Sequence, residues 1–207
     1  MSVGQRGKAV AAVLLLAACG SEDSEPAPPS PTTTTAPAIT APPALTPEEQ
    51  AEADIQTTFE QLIAAWDDFK ANASDYGGTS GWNIELVGRW KVEGAANADL
   101  ANWIAAWRSS EIEQVGRALV ARHEVSDVKL DVTDQGIHEA TSIACLDMSQ
   151  LVYVEFEGGA AELPETPALY QRWHMSWTYA PMADPASGTE MPGWYVSQIE
   201  VALDEPC

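Results

Sequence analysis

Hydrophobic and polar positions change period three times along the chain. Residues 9–18 form a short unbroken apolar run, with Val10, Val13, Leu14, Leu15 and Leu16. Residues 20–44 carry almost no apolar side chain and are dominated by Pro, Ala, Ser and Thr. From Thr46 a helical period sets in. Ile55, Phe59, Leu62, Ile63, Trp66 and Phe69 fall on one stripe, while Asp54, Glu60, Gln61, Asp67, Asp68 and Lys70 fall largely on the other face. Thr46 as cap, Pro47 at the first helical position and Glu49 three residues past the cap make a strong helix start, so a helix is expected from Pro47 to Ala71.

Two further helices follow from the same period. Asn83 to Lys91 carries Ile84, Leu86, Val87 and Trp90. Ala95 to Gln114 carries Leu100, Trp103, Ile104 and Trp107. After Gly116 the period shortens to two. Strands are expected at Ala118–Val125, Val128–Thr133, Glu139–Asp147, Leu151–Phe156, Tyr170–Tyr179 and Gly193–Leu203. In the fifth, Trp173, Met175, Trp177 and Tyr179 alternate with Arg172, His174, Ser176 and Thr178. In the last, parity changes between Trp194/Val196 and Ile199/Val201, which predicts a bulge. Helices first and antiparallel strands after give an α+β class.

The apolar run at the start is too short for a permanent span, which takes about 20 residues. With Arg6 and Lys8 before it and small residues after it, it has the three parts of an export signal. Its end, Leu16–Ala17–Ala18–Cys19, resembles the lipobox of bacterial lipoproteins. The resemblance implies cleavage before Cys19, a diacylglyceryl group on its thiol, often an acyl chain such as palmitate on its amine, and an extracytoplasmic, lipid-anchored location. Two or three acyl chains anchor stably where one does not. The expected organisation is a signal peptide over residues 1–18, the lipidated cysteine and a Pro/Thr-rich tether over 19–45, and one folded domain over 46–207. The tether leans to polyproline II and reaches on the order of 80 Å when extended.

Charge narrows the partners. The formal charge is −21, and loss of Arg6 and Lys8 with the signal takes it two units lower. Such a surface repels nucleic acid and anionic headgroups, so membrane attachment falls to the lipid. Three cysteines are present. With Cys19 lipidated, Cys145 and Cys207 remain: an exported compartment permits a disulfide between them, and two separate thiols are the other reading.

The order of a long helix, a short helix, a third helix and then long strands resembles the NTF2-like fold. Ala140–Thr141–Ser142–Ile143–Ala144–Cys145–Leu146–Asp147 is similar to a strand of actinobacterial NTF2-like lipoproteins, many of which also have a lipobox, a Thr/Pro-rich spacer and a closing cysteine. The resemblance implies a cone, with three N-terminal helices packed on a curved antiparallel sheet around a cavity that holds a small apolar ligand or receives an envelope partner. The chain has eight tryptophans. Trp66, Trp103, Trp107, Trp173, Trp177 and Trp194 are the candidates for lining such a cavity; filling the core is their other role.

Catalysis has weaker support. Enzymes of this fold use an inward acid as a proton shuttle, which here points to Asp67, Asp147 or His174, for an isomerase, cyclase or hydrolase type of reaction. Asp147 also reads as a turn residue and His174 as a residue of a polar strand face. A purely structural accessory domain is a third reading. The pairs His123–Glu124 and His138–Glu139 point opposite ways on strands, and no further His or Cys stands at ligand spacing. No cofactor or metal is expected, and neither a nucleophile motif, a phosphate loop nor a basic–aromatic nucleic-acid stripe is present in the sequence.

Overall fold

A computed structural model describes residues 44–133, 137–163, 168–181 and 191–203, with the backbone alone at 131–133 and 137. All lie within one unit, Pro43–Cys207. The class is α+β. Three helices, α1 (Pro47–Ala71), α2 (Trp82–Val87) and α3 (Gly94–Ser109), precede six strands. The strands are β1 (Ile112–Val115), β2 (Leu119–Thr133), β3 (Ile137–Asp147), β4 (Val152–Glu155), β5 (Tyr170–Ala180) and β6 (Gly193–Leu203). They form two antiparallel sheets rather than one: β2-β3-β5-β6, and a small pair β1-β4.

The start of α1 is fixed by a full capping box. The Thr46 backbone N–H donates to Glu49 Oε2 at 2.7 Å and the Glu49 N–H donates to Thr46 Oγ1 at 3.2 Å. Such caps are worth about 1 kcal/mol. The helix packs its apolar stripe against β1, β2 and β6, with Ile55 and Phe59 fully buried.

Three boundaries differ from the sequence reading. The third helix stops at Ser109 instead of running to Gln114. The Ser109 and Ser110 hydroxyls turn back onto the carbonyls of Ala105 and Ala106, at 2.8 and 3.2 Å, and Glu111 takes a positive φ of 56°. Both features end a helix, and Ile112–Val115 then pairs with Val152–Glu155. The second helix stops at Val87 instead of Lys91, because Val92 forms a parallel bridge with Val196 at the outer edge of β6. The two strands expected between Ala118 and Thr133 are one, interrupted by a register shift around Asp127, whose φ is 51°. On β6 the parity change is a bulge: Ser176 pairs with Gln198 and Trp177 with Val196.

The core follows from the pairing of β3 with β5. Ala140, Ser142 and Ala144 stand opposite Trp177, Met175 and Trp173. Small side chains on one strand leave room for indoles on the next, and all six are buried. Each large side chain contributes about 1.5–3 kcal/mol by leaving water.

Candidate functional site

One apolar cavity of about 410 Å³ opens beside this core. Helices α1 and α3 supply one side of its wall. Trp66 and Lys70 are one turn apart on α1, Trp103 and Trp107 one turn apart on α3, so each pair shares a helix face. The opposite wall comes from Trp173 on β5, Val201 on β6 and Met148 after β3; Tyr153 of β4, Gln171 of β5 and Ser110 are its polar lining. The indoles brace one another edge to face. Trp66 meets Trp107 with centroids 6.5 Å apart, and Trp103 meets Trp173 at 6.0 Å. Both distances lie in the range where aromatic pairs contribute beyond burial. At about 410 Å³ the cavity sits at the small end of the roughly 300–1,000 Å³ typical of small-molecule sites.

Lys70 is the single charged side chain in that lining, and it is 2% exposed. Its ammonium donates to Gln114 Oε1 at 2.5 Å and lies 3.2 Å from Asp67 Oδ1. Gln114 Nε2 donates in turn to Asp67 Oδ1 at 2.8 Å, and the Ala118 backbone N–H donates to Asp67 Oδ2 at 2.8 Å. The ammonium also sits 5.4 Å from the Trp66 ring centroid and 5.5 Å from that of Trp107, within cation–π range. Burial pushes the Lys70 pKa below its ordinary value, with the charge and hydrogen bond of Asp67 opposing the shift. Burial, then the Asp67 charge, raises the Tyr153 phenol. The Trp107 Nε1–H is buried and has no acceptor among the described residues.

Asp67 and Lys70 therefore correct the sequence reading, which put both on the solvated face of α1. The missed signal is spacing. Ile63, Trp66, Asp67 and Lys70 stand at i, i+3, i+4 and i+7, one face of a helix. Their charges hid them, and Gln114, brought in by β1, hydrogen-bonds to both of them where they are buried. Asp67 does not line the cavity, and both its oxygens accept hydrogen bonds from within the protein.

The other candidates separate. Trp66, Trp103, Trp107 and Trp173 line the cavity, whereas Trp177 and Trp194 do not. Trp177 is buried beside His123, with its Nε1–H donating to Ser142 Oγ at 2.8 Å; Trp194 packs on Tyr179 and His138. His174 lies on the other face of β5, in a polar groove with Ser126, Thr141 and Glu200. Asp147 caps the turn after β3, its Oδ1 accepting from the Ser149 N–H at 2.8 Å; hydrogen bonding from the Ser149 side chain, then from its backbone, holds the carboxyl below the ordinary value. Cys145 is buried in β3; Cys19 and Cys207 lie outside the described residues. The described residues hold no His, Cys, Asp and Glu cluster suited to a metal ion, and no helix among them is long and apolar enough to cross a membrane.

The inward packing of His123 is a feature the sequence did not suggest. The ring points inward from β2, 4.6 Å from the Phe59 ring centroid and 6.5 Å from that of Trp177. Both ring nitrogens are buried without a partner among the described residues. Burial lowers its pKa to about 4, so the ring is neutral at ordinary pH.

No protein-family model matches the chain, and no curated protein is similar to it. Among solved structures, it is similar to the crystal structure of the intermembrane space region of the chloroplast protein ARC6, with a TM-score of 0.38 and 12% identity, over 71% of this chain and 95% of that one. A likeness of that degree carries no argument about fold or function.

Proposed function

We propose that the protein is a lipid-anchored envelope protein whose NTF2-like domain holds a small apolar ligand, without catalysing its conversion. The indole-walled cavity between α1, α3 and the strands carries this reading. Its walls are apolar and mutually braced, so an apolar guest gains burial without the protein having to reorganise. Helices that precede the strands and pack on their inner face support the cone-like fold. The Leu16–Cys19 segment supports the anchor, and the Pro-rich tether places the domain away from the bilayer. A disulfide between Cys145 and Cys207 belongs to the same proposal.

The described core runs from Ala51 to Val201, so a chain beginning at Gly20 keeps it whole and needs neither lipid nor detergent. Titration of that chain with the fluorescent apolar probe N-phenyl-1-naphthylamine is expected to give saturable binding that Trp103→Ala abolishes. No saturable binding rules the apolar-ligand reading out and leaves an envelope protein as the partner to seek. Mass spectrometry of the native protein is expected to find Cys19 as a lipidated N-terminus; any other, unmodified, first residue removes the anchor. A non-reducing peptide map that finds Cys145 and Cys207 both as thiols removes the disulfide.

A further inference from the structure

Resting on the reading of the cavity as an apolar-ligand site, we infer that the ligand carries a carboxylate and that Lys70 and Trp107 receive it. Two hydrogen-bond donors stand in the lining with capacity to spare. The Lys70 ammonium has three N–H groups. One goes to Gln114 and one faces Asp67, and a third remains. The Trp107 Nε1–H is buried without an acceptor among the described residues. Burying such a donor unpaired is costly, and native proteins rarely leave one so. The two belong to one small region, since Lys70 Nζ lies 5.5 Å from the Trp107 ring centroid.

Charge selects the acceptor. A single carboxylate, Asp67, accompanies Lys70 in its buried position. Burial outweighs that partner and pushes the lysine pKa below its ordinary value. A second anion on the cavity side offsets the same burial, whereas a cationic head group adds like charge beside the ammonium. A carboxylate has two oxygens, enough to accept from the ammonium and from the indole N–H together. The rest of the wall is apolar: Trp66, Trp103, Trp173, Met148 and Val201 take the hydrocarbon part. A volume of about 410 Å³ suits a medium-length acyl chain or a compact aromatic acid rather than a full membrane lipid.

The chemical class is therefore an apolar monocarboxylic acid. Arg108 and Lys91 do not enter the lining, and a chain of formal charge −21 gives no long-range attraction to such an acid. Its recognition is short-range and comes only on entry.

The test displaces N-phenyl-1-naphthylamine from the chain beginning at Gly20 with decanoate, decanol and decylamine. Decanoate is expected to compete about tenfold or more better than decanol, as a charged hydrogen-bond pair demands, and decylamine worst of all. Trp107→Phe keeps the aromatic wall and removes only the N–H. It is expected to weaken decanoate several-fold and to leave decanol unchanged. Lys70→Met, if folded by circular dichroism, should bring decanoate down to the level of decanol. Equal competition by decanoate and decanol in the parent chain overturns the inference while leaving the apolar site standing. So does an equal loss for both in Trp107→Phe. Failure of the probe itself to bind overturns both.

Discussion

The cavity around Lys70 and the packing around His123 are built from the same materials. Each sets a titratable side chain among tryptophan and phenylalanine rings, with the phenylalanine supplied by α1. They differ in how the polar group is treated. Around Lys70 the charge is kept, and Asp67, Gln114 and two indole faces are arranged around it. Around His123 no described residue offers a hydrogen bond, and the imidazole is held neutral against Phe59 and Trp177. Space follows the same division: the first region has an open volume of about 410 Å³, and Trp177 in the second is 1% exposed. A buried ionisable group is therefore a poor marker of a site by itself. What distinguishes the first region is a kept charge, a donor left over and an open volume that both residues line.

The comparison breaks most directly on tryptophan removal. Trp177→Ala opens a void in the closed region and is expected to cost about 3–5 kcal/mol in urea unfolding. Trp103→Ala, at the wall of an existing cavity, is expected to cost less than half of that while abolishing probe binding. Equal losses would mean that the two regions are one core, with the cavity a packing defect. Asp67→Ala has a comparable expected cost, about 3–5 kcal/mol, because it strands a buried ammonium. Asp67→Asn, which keeps hydrogen-bonding capacity, should fall well short of that.

Much of this division was legible in the sequence and some of it was not, for identifiable reasons. The stripe Ile55–Phe59–Leu62–Ile63–Trp66 gives α1 and its core face, and Thr46–Glu49 gives its start, because both signals are local. The alternation in Tyr170–Tyr179 separates the buried Trp173, Met175 and Trp177 from the outward His174 for the same reason. Non-local partners decide the rest. Asp67 and Lys70 look like surface charges until Gln114 is brought 2.8 Å and 2.5 Å from them by a strand that itself reads as the end of a helix. Whether a tryptophan lines a cavity or fills a core depends on what stands across from it. Ser142 and the β2 residue His123 close over Trp177, and nothing in the periodicity of β5 announces that.

Acid sharpens the comparison next. Folded His123 stays neutral down to about pH 4, whereas the unfolded chain takes up that proton near the ordinary value of 6.5. Above that value neither state is protonated and there is no penalty. As the pH falls from 6.5 to about 4, the unfolded state gains a proton that the fold excludes, so stability is lost across that window and the loss levels off below it. Allowing for partial exposure, the loss is on the order of 2 kcal/mol. Urea unfolding of the parent and His123→Phe at pH 7 and pH 4 isolates it: the variant should lose less stability on acidification by that amount. Equal acid sensitivity would place the imidazole in contact with water.

The smallest effect bears most closely on the left-over donor. Ser142→Ala removes the acceptor of the Trp177 Nε1–H and leaves that indole as unsatisfied as Trp107 already is. The expected cost is about 1 kcal/mol, the low end for an unpaired buried donor. The variant makes the two indoles alike in hydrogen bonding and leaves them unlike in access, since Trp107 faces a cavity and Trp177 does not. A carboxylate ligand should therefore restore nothing at Trp177: decanoate is expected to raise the unfolding midpoint of the parent and of Ser142→Ala by the same increment. A larger increment in the variant would mean that the closed region admits the acid as well, and that access, rather than the spare donor and the kept charge, is shared between the two regions.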